Sequence, residues 1–453
     1  MIKTIESLDE FGLAKRVMQK FGDRLRFLVD AATLLAWDGT RYCRQRHVAE
    51  ALVKDVVEHL GEEFDRNAIT TTADGEVVTG KDFDKFLVKA RSKGMIEKAI
   101  WHLRLNPESH CKLADFDADS YKLNCANGLL DMQTGLLAPH SPDQLVTKIA
   151  PISWNPEKDC PKWTQFIKEI TVGDADLAAY LQRLFGYCLS GSTQEEVLPI
   201  LHGCGANGKS IFLARLRAIL GPEYSLTLGT GSILNSRFHG IRCDLRQLEG
   251  VRAAFAIEVN KGQALDEAVI KSLTGGDEIS ARAMRENPVQ FKPKAKILMA
   301  VNHLPGFVGN DNGIHRRLQI VPFLAKFTGE RRKEEIEAEF AAEAVGILDW
   351  AVQGFQAWLE KGLEPPQCVR NATEKYFADS DQLADFLEER TTSKPEKKVP
   401  LRMLFESYFD WATNSCIKPL GMHQFGELMH SKGFSQVRDR TARYWSGLAL
   451  RAG

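Results

Sequence analysis

Residues 203–210 read Gly-Cys-Gly-Ala-Asn-Gly-Lys-Ser, between an apolar run that ends at His202 and an amphipathic run that starts at Ile211. Gly203, Gly205 and Gly208 free the backbone to turn, so that successive N–H groups point at one anion. Within that loop Cys204, Ala206 and Asn207 add their backbone, and Lys209 is placed to neutralise the β- and γ-phosphates of a nucleotide. Ser210 offers a hydroxyl to Mg²⁺, and the phosphates rest at the positive end of the helix that follows. The spacing predicts a strand, a phosphate-binding loop and a helix, with a nucleoside triphosphate and Mg²⁺ as cofactors.

Such a site needs a carboxylate on a neighbouring strand to hold Mg²⁺ or polarise water. The stretch VRAAFAIEVN supplies an apolar strand ending in Glu258, the partner of Ser210 in the candidate Mg²⁺ site. A second apolar strand, AKILMAVN, ends in Asn302, whose amide could touch the γ-phosphate or the attacking water. Arg316 and Arg317 stand just before another strand, LQIVPF, where one of them could reach a nucleotide bound by a neighbouring subunit. The sequence leaves open which one, and a plain surface charge pair is the alternative. Between these strands, EISARAM, RENP and VQFKPKAKI read as a hairpin bearing Arg282, Arg285, Lys292 and Lys294. A basic projection of that kind can hold a nucleic-acid backbone, although Lys also protects sheet edges.

The elements that must position these groups belong to a chain of 453 residues with 44% hydrophobic and 26% charged residues, the balance of an ordinary globular protein. A net charge of -1 excludes a general affinity for nucleic acid or anionic membrane, so any basic surface is local. The first residues lack a signal-peptide core and no stretch is long enough to span a membrane, so a cytoplasmic protein without membrane partners is expected. Nine Cys with no C-x-x-C pair suit a reducing compartment without structural zinc. Asp115, Asp117 and Asp119 alternate as in a calcium loop, but Ser120 and Ala126 stand where such a loop needs Gly and Glu.

Residues 1–155 read as a mainly helical α+β domain, with helices in ESLDEFGLAKRVMQKFG and RHVAEALVKDVVEHLGEEF and strand pairs around Asp38-Gly39 and Asn127-Gly128. Two helices split by Gly173-Asp174 fill 156–192, followed by alternating strands and helices over 193–350 that predict a three-layer α/β domain with a parallel sheet. A helical extension covers 351–390. RTTSKPEKKVP, at 390–400, reads as a linker. Residues 391–453 then show helix, helix and two strands around a basic turn, the order of a winged helix, with Arg438, Arg440 and Arg443 as candidate DNA contacts.

The series GCGANGKS, AFAIE, KSLTGGDEISARAM, FKPKAKILMAVNHLP and DNGIHRRLQIVPF resembles the superfamily 3 helicases, in particular the poxvirus-type and satellite-phage or plasmid primase–helicases. LNCANGLLDMQTGLLAPHSPDQL, CPKWTQFIKEI and EKYFADSDQLADFLEER extend the resemblance to roughly residues 20–450. It implies a ring, usually a hexamer, of AAA+ modules that hydrolyse ATP and move 3′ to 5′ on single-stranded or forked DNA. Lys209 and Ser210 would bind phosphate and Mg²⁺, Glu258 would end the Walker B strand and Asn302 would be the sensor. Arg316 or Arg317 would be the arginine finger, the hairpin around Arg285 would face the channel, and residues 156–192 would form an oligomerising collar. The resemblance begins so near Met1 that a primase would be a separate protein, and the family's mobile elements point to a bacterial host cytoplasm. An origin-binding initiator that uses ATP for assembly and melting is the alternative reading, followed by an ATPase of anti-phage defence. A guanine-specific enzyme is disfavoured because VNHLP lacks the Lys and Asp of an N-K-x-D motif.

Overall fold

The computed structural model describes residues 2–234, 243–257, 263–281, 289–306, 312–328, 332–379, 382–415, 419–439 and 442–451. Its centre is a five-stranded sheet, parallel throughout, in the order Ser225–Thr227, Ala253–Ile257, Lys296–Val301, Leu198–His202, Leu318–Pro322. Side chains alternate between the two faces, as strand geometry requires. Leu201, Phe255, Leu298 and Val321 enter one core, while Ile200, Ala254, Met299 and Ile320 enter the other. Burial on both faces explains why these strands read as unbroken apolar runs.

Helices Pro161–Ile170, Ala175–Leu189, Lys209–Tyr224 and Ala344–Lys361 contribute the first core, and Glu267–Thr274 with Gln367–Asp379 close the second. The expected three-layer α/β arrangement is present. The two helices expected as a collar are built into this core. A Cβ on Gly186 would lie 2.2 Å from Phe355 N, and one on Gly354 would lie 2.2 Å from Gln182 O, so Ala175–Leu189 and Ala344–Lys361 meet backbone to backbone. Asp174 starts the first of these by accepting from Leu177 N at 3.0 Å, which satisfies an end donor of the helix.

The N-terminal region holds the expected helices, Glu10–Phe21 and Arg46–His59, packed with Lys93–Leu103 around Leu13, Val53 and Ala99. It also holds more strand than its sequence suggests. Ile2–Ile5, Ile69–Thr72 and Val77–Val78 form one sheet, and Tyr42–Cys43, Thr33–Trp37, Leu25–Leu28 and His110–Cys111 form another. Strands of two to five residues are too short to show a period, and several find partners far along the chain. The two predicted hairpins are present, with Trp37 opposite Tyr42 and Cys125 opposite Gly128. In the acidic loop, Asp115 accepts from Lys112 N and Asp119 from Tyr121 N nearby, while Asp117 accepts from Thr147 N thirty residues on, so each carboxylate serves a backbone donor.

The expected linker at 390–400 is instead a strand. Thr391–Pro400 pairs antiparallel with Arg443–Leu450, with a register shift between Ser393 and Lys398. Thr391 and Val399 are buried and anchor its ends, while the exposed Lys and Pro residues fall at the irregularity of an edge strand, where a missing donor is tolerated. Gln436–Arg438 completes this three-stranded sheet. Helices Gln382–Arg390, Leu401–Asn414 and Met422–Ser431 pack with it around Phe386, Tyr408, Phe425 and Trp445. Gln382–Arg390 therefore shares the C-terminal core, and the division expected at residue 390 cuts through a packed unit. Among the described residues, no helix is long and apolar enough to cross a membrane.

Candidate functional site

The Leu198–His202 strand delivers its C-terminal end to the phosphate loop, and the helix Lys209–Tyr224 leaves from it. Gly205, Ala206 and Gly208 take positive φ values of 70°, 46° and 88°, a run that turns backbone N–H groups toward one side. Gly208 is the residue before the helix, and a Cβ on it would lie 2.5 Å from Ile170 Cγ2. The loop thus leans on the helix Pro161–Ile170, and only glycine fits there in this backbone conformation. Ser210 is exposed in the first helical turn.

Lys209 is only 5% exposed. Its ammonium donates to Gly203 O at 2.6 Å, Asn207 Oδ1 at 3.0 Å and Asn302 Oδ1 at 3.2 Å. Among the described residues these hydrogen-bond partners are neutral oxygens. Burial lowers the Lys209 pKa, with Cys204 opposing the shift. A buried cation held only by neutral oxygens is costly, and a polyphosphate would add a counter-charge to the neutral partners that the described residues supply. Asn207 is itself fixed by donating to Phe323 O at 3.1 Å. The neighbouring His202 is held below its usual pKa by burial and by Lys209.

Asn302 directly follows the Lys296–Val301 strand, whose register sets Val301 beside His202. Parallel pairing therefore explains how Asn302 reaches Lys209 from a distant part of the chain. On the other side of that strand, Ala253–Ile257 ends one residue before Glu258, and Ile257 pairs with Ala300. Glu258 lies outside the described residues.

The structure separates the two arginines. Arg317 has a side chain only 8% exposed, which donates to Thr274 Oγ1 at 3.0 Å, Gly313 O at 2.8 Å and Glu196 Oε2 at 2.9 Å. Arg316 is 67% exposed and meets the same Glu196 oxygen at 3.3 Å. No motif in the sequence points to Glu196. The one available signal is register: Leu198 pairs with Leu318 in parallel strands, so residue 196 comes level with residue 316.

The predicted hairpin is present at its base, where Ile279–Ala281 pairs antiparallel with Val289–Phe291. Arg282 and Arg285 lie outside the described residues. Lys292 is exposed, but Lys294 is turned inward and donates to Asp117 O at 2.8 Å. This corrects its placement as a free basic group: Lys294 ties the returning strand to the N-terminal region, and burial lowers its pKa. The return also ends earlier than expected, since Lys296 already belongs to the central sheet. In the C-terminal sheet Arg438 and Arg443 are exposed and directly opposite each other, while Arg440 lies outside the described residues.

The family model described as D5 N terminal like matches residues 14–172, and DUF5906, a family of unknown function, matches residues 201–317. The chain is similar to a proposed helicase of Acanthamoeba polyphaga mimivirus, at 28% identity over 324 residues, covering 66% of this chain and 34% of that one. It is also similar to a proposed helicase of Invertebrate iridescent virus 3, at 24% identity over 305 residues, covering 60% and 32%. A proposed primase of African swine fever virus matches at 20% identity over 390 residues, covering 80% and 40%. The chain thus spans between 32% and 40% of the length of these relatives. A solved structure of the C-terminal region of NrS-1 has a TM-score of 0.49 and 11% identity, covering 98% of this chain and 99% of that one. The loop met by Asn302 lies in one matched segment and the D5-like N-terminal region in the other, so both matches and the helicase and primase relatives support the resemblance to D5-like superfamily 3 helicases.

Proposed function

We propose that this chain is the ATP-hydrolysing helicase portion of a replication protein of viral or other mobile-element type. In this reading the central sheet and its helices are an AAA+ module, and the C-terminal three-helix, three-strand unit is a winged helix. The observation that carries the proposal is the buried Lys209 ammonium bridging the phosphate loop to Asn302, with neutral oxygens as its described partners. That arrangement fits a bound polyphosphate. The helicase and primase names of the relatives support DNA as the substrate.

Lys209 and the backbone of 203–208 would hold the β- and γ-phosphates of ATP, and Ser210 with Glu258 would hold Mg²⁺, which supplies charge neutralisation at the transferred phosphate. Asn302 would orient the attacking water or the γ-phosphate. Arg316, exposed where Arg317 is buried, would act on the nucleotide of a neighbouring subunit in a homo-oligomeric ring. Arg317 would instead brace the segment behind it. Lys292, with Arg282 and Arg285, would contact single-stranded DNA from the hairpin, and movement of that hairpin with hydrolysis would drive translocation, 3′ to 5′ by resemblance. Arg438, Arg440 and Arg443 would contact duplex DNA phosphates.

The opposed, exposed Arg438 and Arg443 also favour a second reading, an initiator whose C-terminal unit binds an origin. Like charges placed across a strand pair repel, so an anion there relieves a cost the fold otherwise carries. Strand displacement on a forked duplex separates the readings. The helicase reading expects ATP-dependent unwinding by the wild type that is lost in Lys209→Ala. ATP hydrolysis without unwinding, together with sequence-specific duplex binding, would establish the initiator instead.

A further inference from the structure

One carboxylate oxygen receives both arginines that precede the Leu318–Pro322 strand. Glu196 Oε2 lies 2.9 Å from the buried Arg317 and 3.3 Å from the exposed Arg316. Two adjacent guanidinium groups repel, and a shared anion between them cancels that repulsion and gives the outer one a defined direction. The Glu196 backbone is itself specialised: its φ is 52°, in the left-handed region that non-glycine residues seldom occupy, and its N–H donates to Thr193 O at 3.0 Å. Strain of this kind persists where the surroundings over-determine it.

The neighbours on either side are equally committed. Glu195 accepts from Trp358 Nε1 at 2.7 Å and from Leu363 N at 3.3 Å, so this turn is fastened to the long helix Ala344–Lys361 and the residues after it. Leu198 N donates to Arg317 O at 2.7 Å, which locks the two chain segments in register. Arg317 also donates to Thr274, at the end of the helix that leads into the hairpin. Glu196 thus stands between the phosphate-loop strand, the base of the hairpin and the outward-facing Arg316.

We infer that Glu196 is the positioning residue for Arg316, aiming its guanidinium out of the subunit toward the nucleotide of the neighbour. This inference rests on the reading of Arg316 as a residue acting in trans. The exposed Glu196–Arg316 contact is of the weak kind, so it orients the side chain and still releases it to a phosphate, which binds arginine in bidentate fashion. The Arg317 contact keeps the carboxylate in place during that exchange.

The test uses assembled chains of all 453 residues and measures DNA-stimulated ATP turnover. Arg316→Ala is expected to lower kcat about 10³-fold. Glu196→Gln, whose amide oxygen still accepts from Arg317, is expected to lower kcat about 10-fold with an unchanged KM for ATP. In the Arg316→Ala background, Glu196→Gln should change nothing further, because its effect passes through Arg316. Each variant is then co-assembled with Lys209→Ala subunits, which hydrolyse nothing but carry an intact Glu196 and Arg316. Turnover per Glu196→Gln subunit should rise by at least about 3-fold, as neighbours supply a correctly aimed arginine to its intact phosphate loop. Rescue of Arg316→Ala without rescue of Glu196→Gln would overturn the role of Glu196 and leave the trans reading standing. Rescue of neither would overturn the trans reading and this inference with it. A further 10-fold loss in the double variant would show that Glu196 acts independently of Arg316, and would also overturn it.

Discussion

Gly205 and Gly208 occupy the same loop with similar left-handed backbones, φ 70° and 88°, yet alanine should affect them differently. At both positions the added Cβ meets the backbone penalty of the left-handed region, about 1–2 kcal/mol. At Gly205 nothing lies within 4 Å of that Cβ, so the local cost ends there. At Gly208 it would lie 2.5 Å from Ile170 Cγ2 and 3.2 Å from the Phe166 ring, inside a core that also holds Trp163 and Phe212. Overpacking of a dense core adds about 1–3 kcal/mol, for a total of about 2–5 kcal/mol. Hydrogen exchange of the amides in the Lys209–Tyr224 helix reads this local stability directly. Both variants should weaken ATP binding, but only Gly208→Ala should speed exchange through the helix by more than about 30-fold, the equivalent of 2 kcal/mol. Ile170→Ala removes the opposing methyl group, so Gly208→Ala should cost about 1–3 kcal/mol less in that background. Equal costs at the two glycines, or no change with Ile170→Ala, would refute the contact between the loop and the Pro161–Ile170 helix as the reason for glycine.

Other perturbations separate roles that look alike in sequence. Arg317→Ala should destabilise the core by about 1–3 kcal/mol, since it takes the guanidinium donor away from Thr274 and Gly313 O, whereas Arg316→Ala should leave the melting temperature within about a degree; equal melting temperatures would refute the division between them. Lys296, buried beside Tyr187 and donating to Ser190 O and Lys294 O, has its pKa pushed down by burial to about 7, with Arg252 and Lys294 adding to the shift and Cys188 opposing it. The unfolded lysine keeps its proton up to its ordinary value of 10.5, so above pH 7 the unfolded state binds more protons and stability should rise from pH 7 to pH 9. Thermal melts should show this slope in the wild type and lose it in Lys296→Met; a slope of equal size in both would refute the assignment. Replacing Arg438 and Arg443 by Ala should weaken duplex binding similarly for all sequences and reduce its salt dependence by about two counterions. An unchanged salt slope would remove these residues from the DNA interface.

The phosphate loop was legible because its chemistry is local: eight consecutive residues carry it, largely through backbone that glycine allows to turn. The strands that end at Ile257 and Val301 were legible as well, since burial on both faces writes an apolar run into the chain. Short strands such as Val77–Val78 left no such trace. Thr391–Pro400 reads as a linker because its exposed Lys and Pro residues dominate the composition, while its pairing depends on Arg443–Leu450 far along the chain.

Sequence by itself determined the candidate groups, a glycine-rich loop of phosphate-binding type followed by paired arginines, because residue type and near spacing suffice for both. Tertiary structure alone decided how those groups are used. It buried Arg317 and exposed Arg316, turned Lys294 from the hairpin to the Asp117 carbonyl, and brought Glu196 level with the arginines. The physical reason is register: parallel strands bring together residues more than a hundred positions apart, and no local pattern encodes which of two neighbours will face the core.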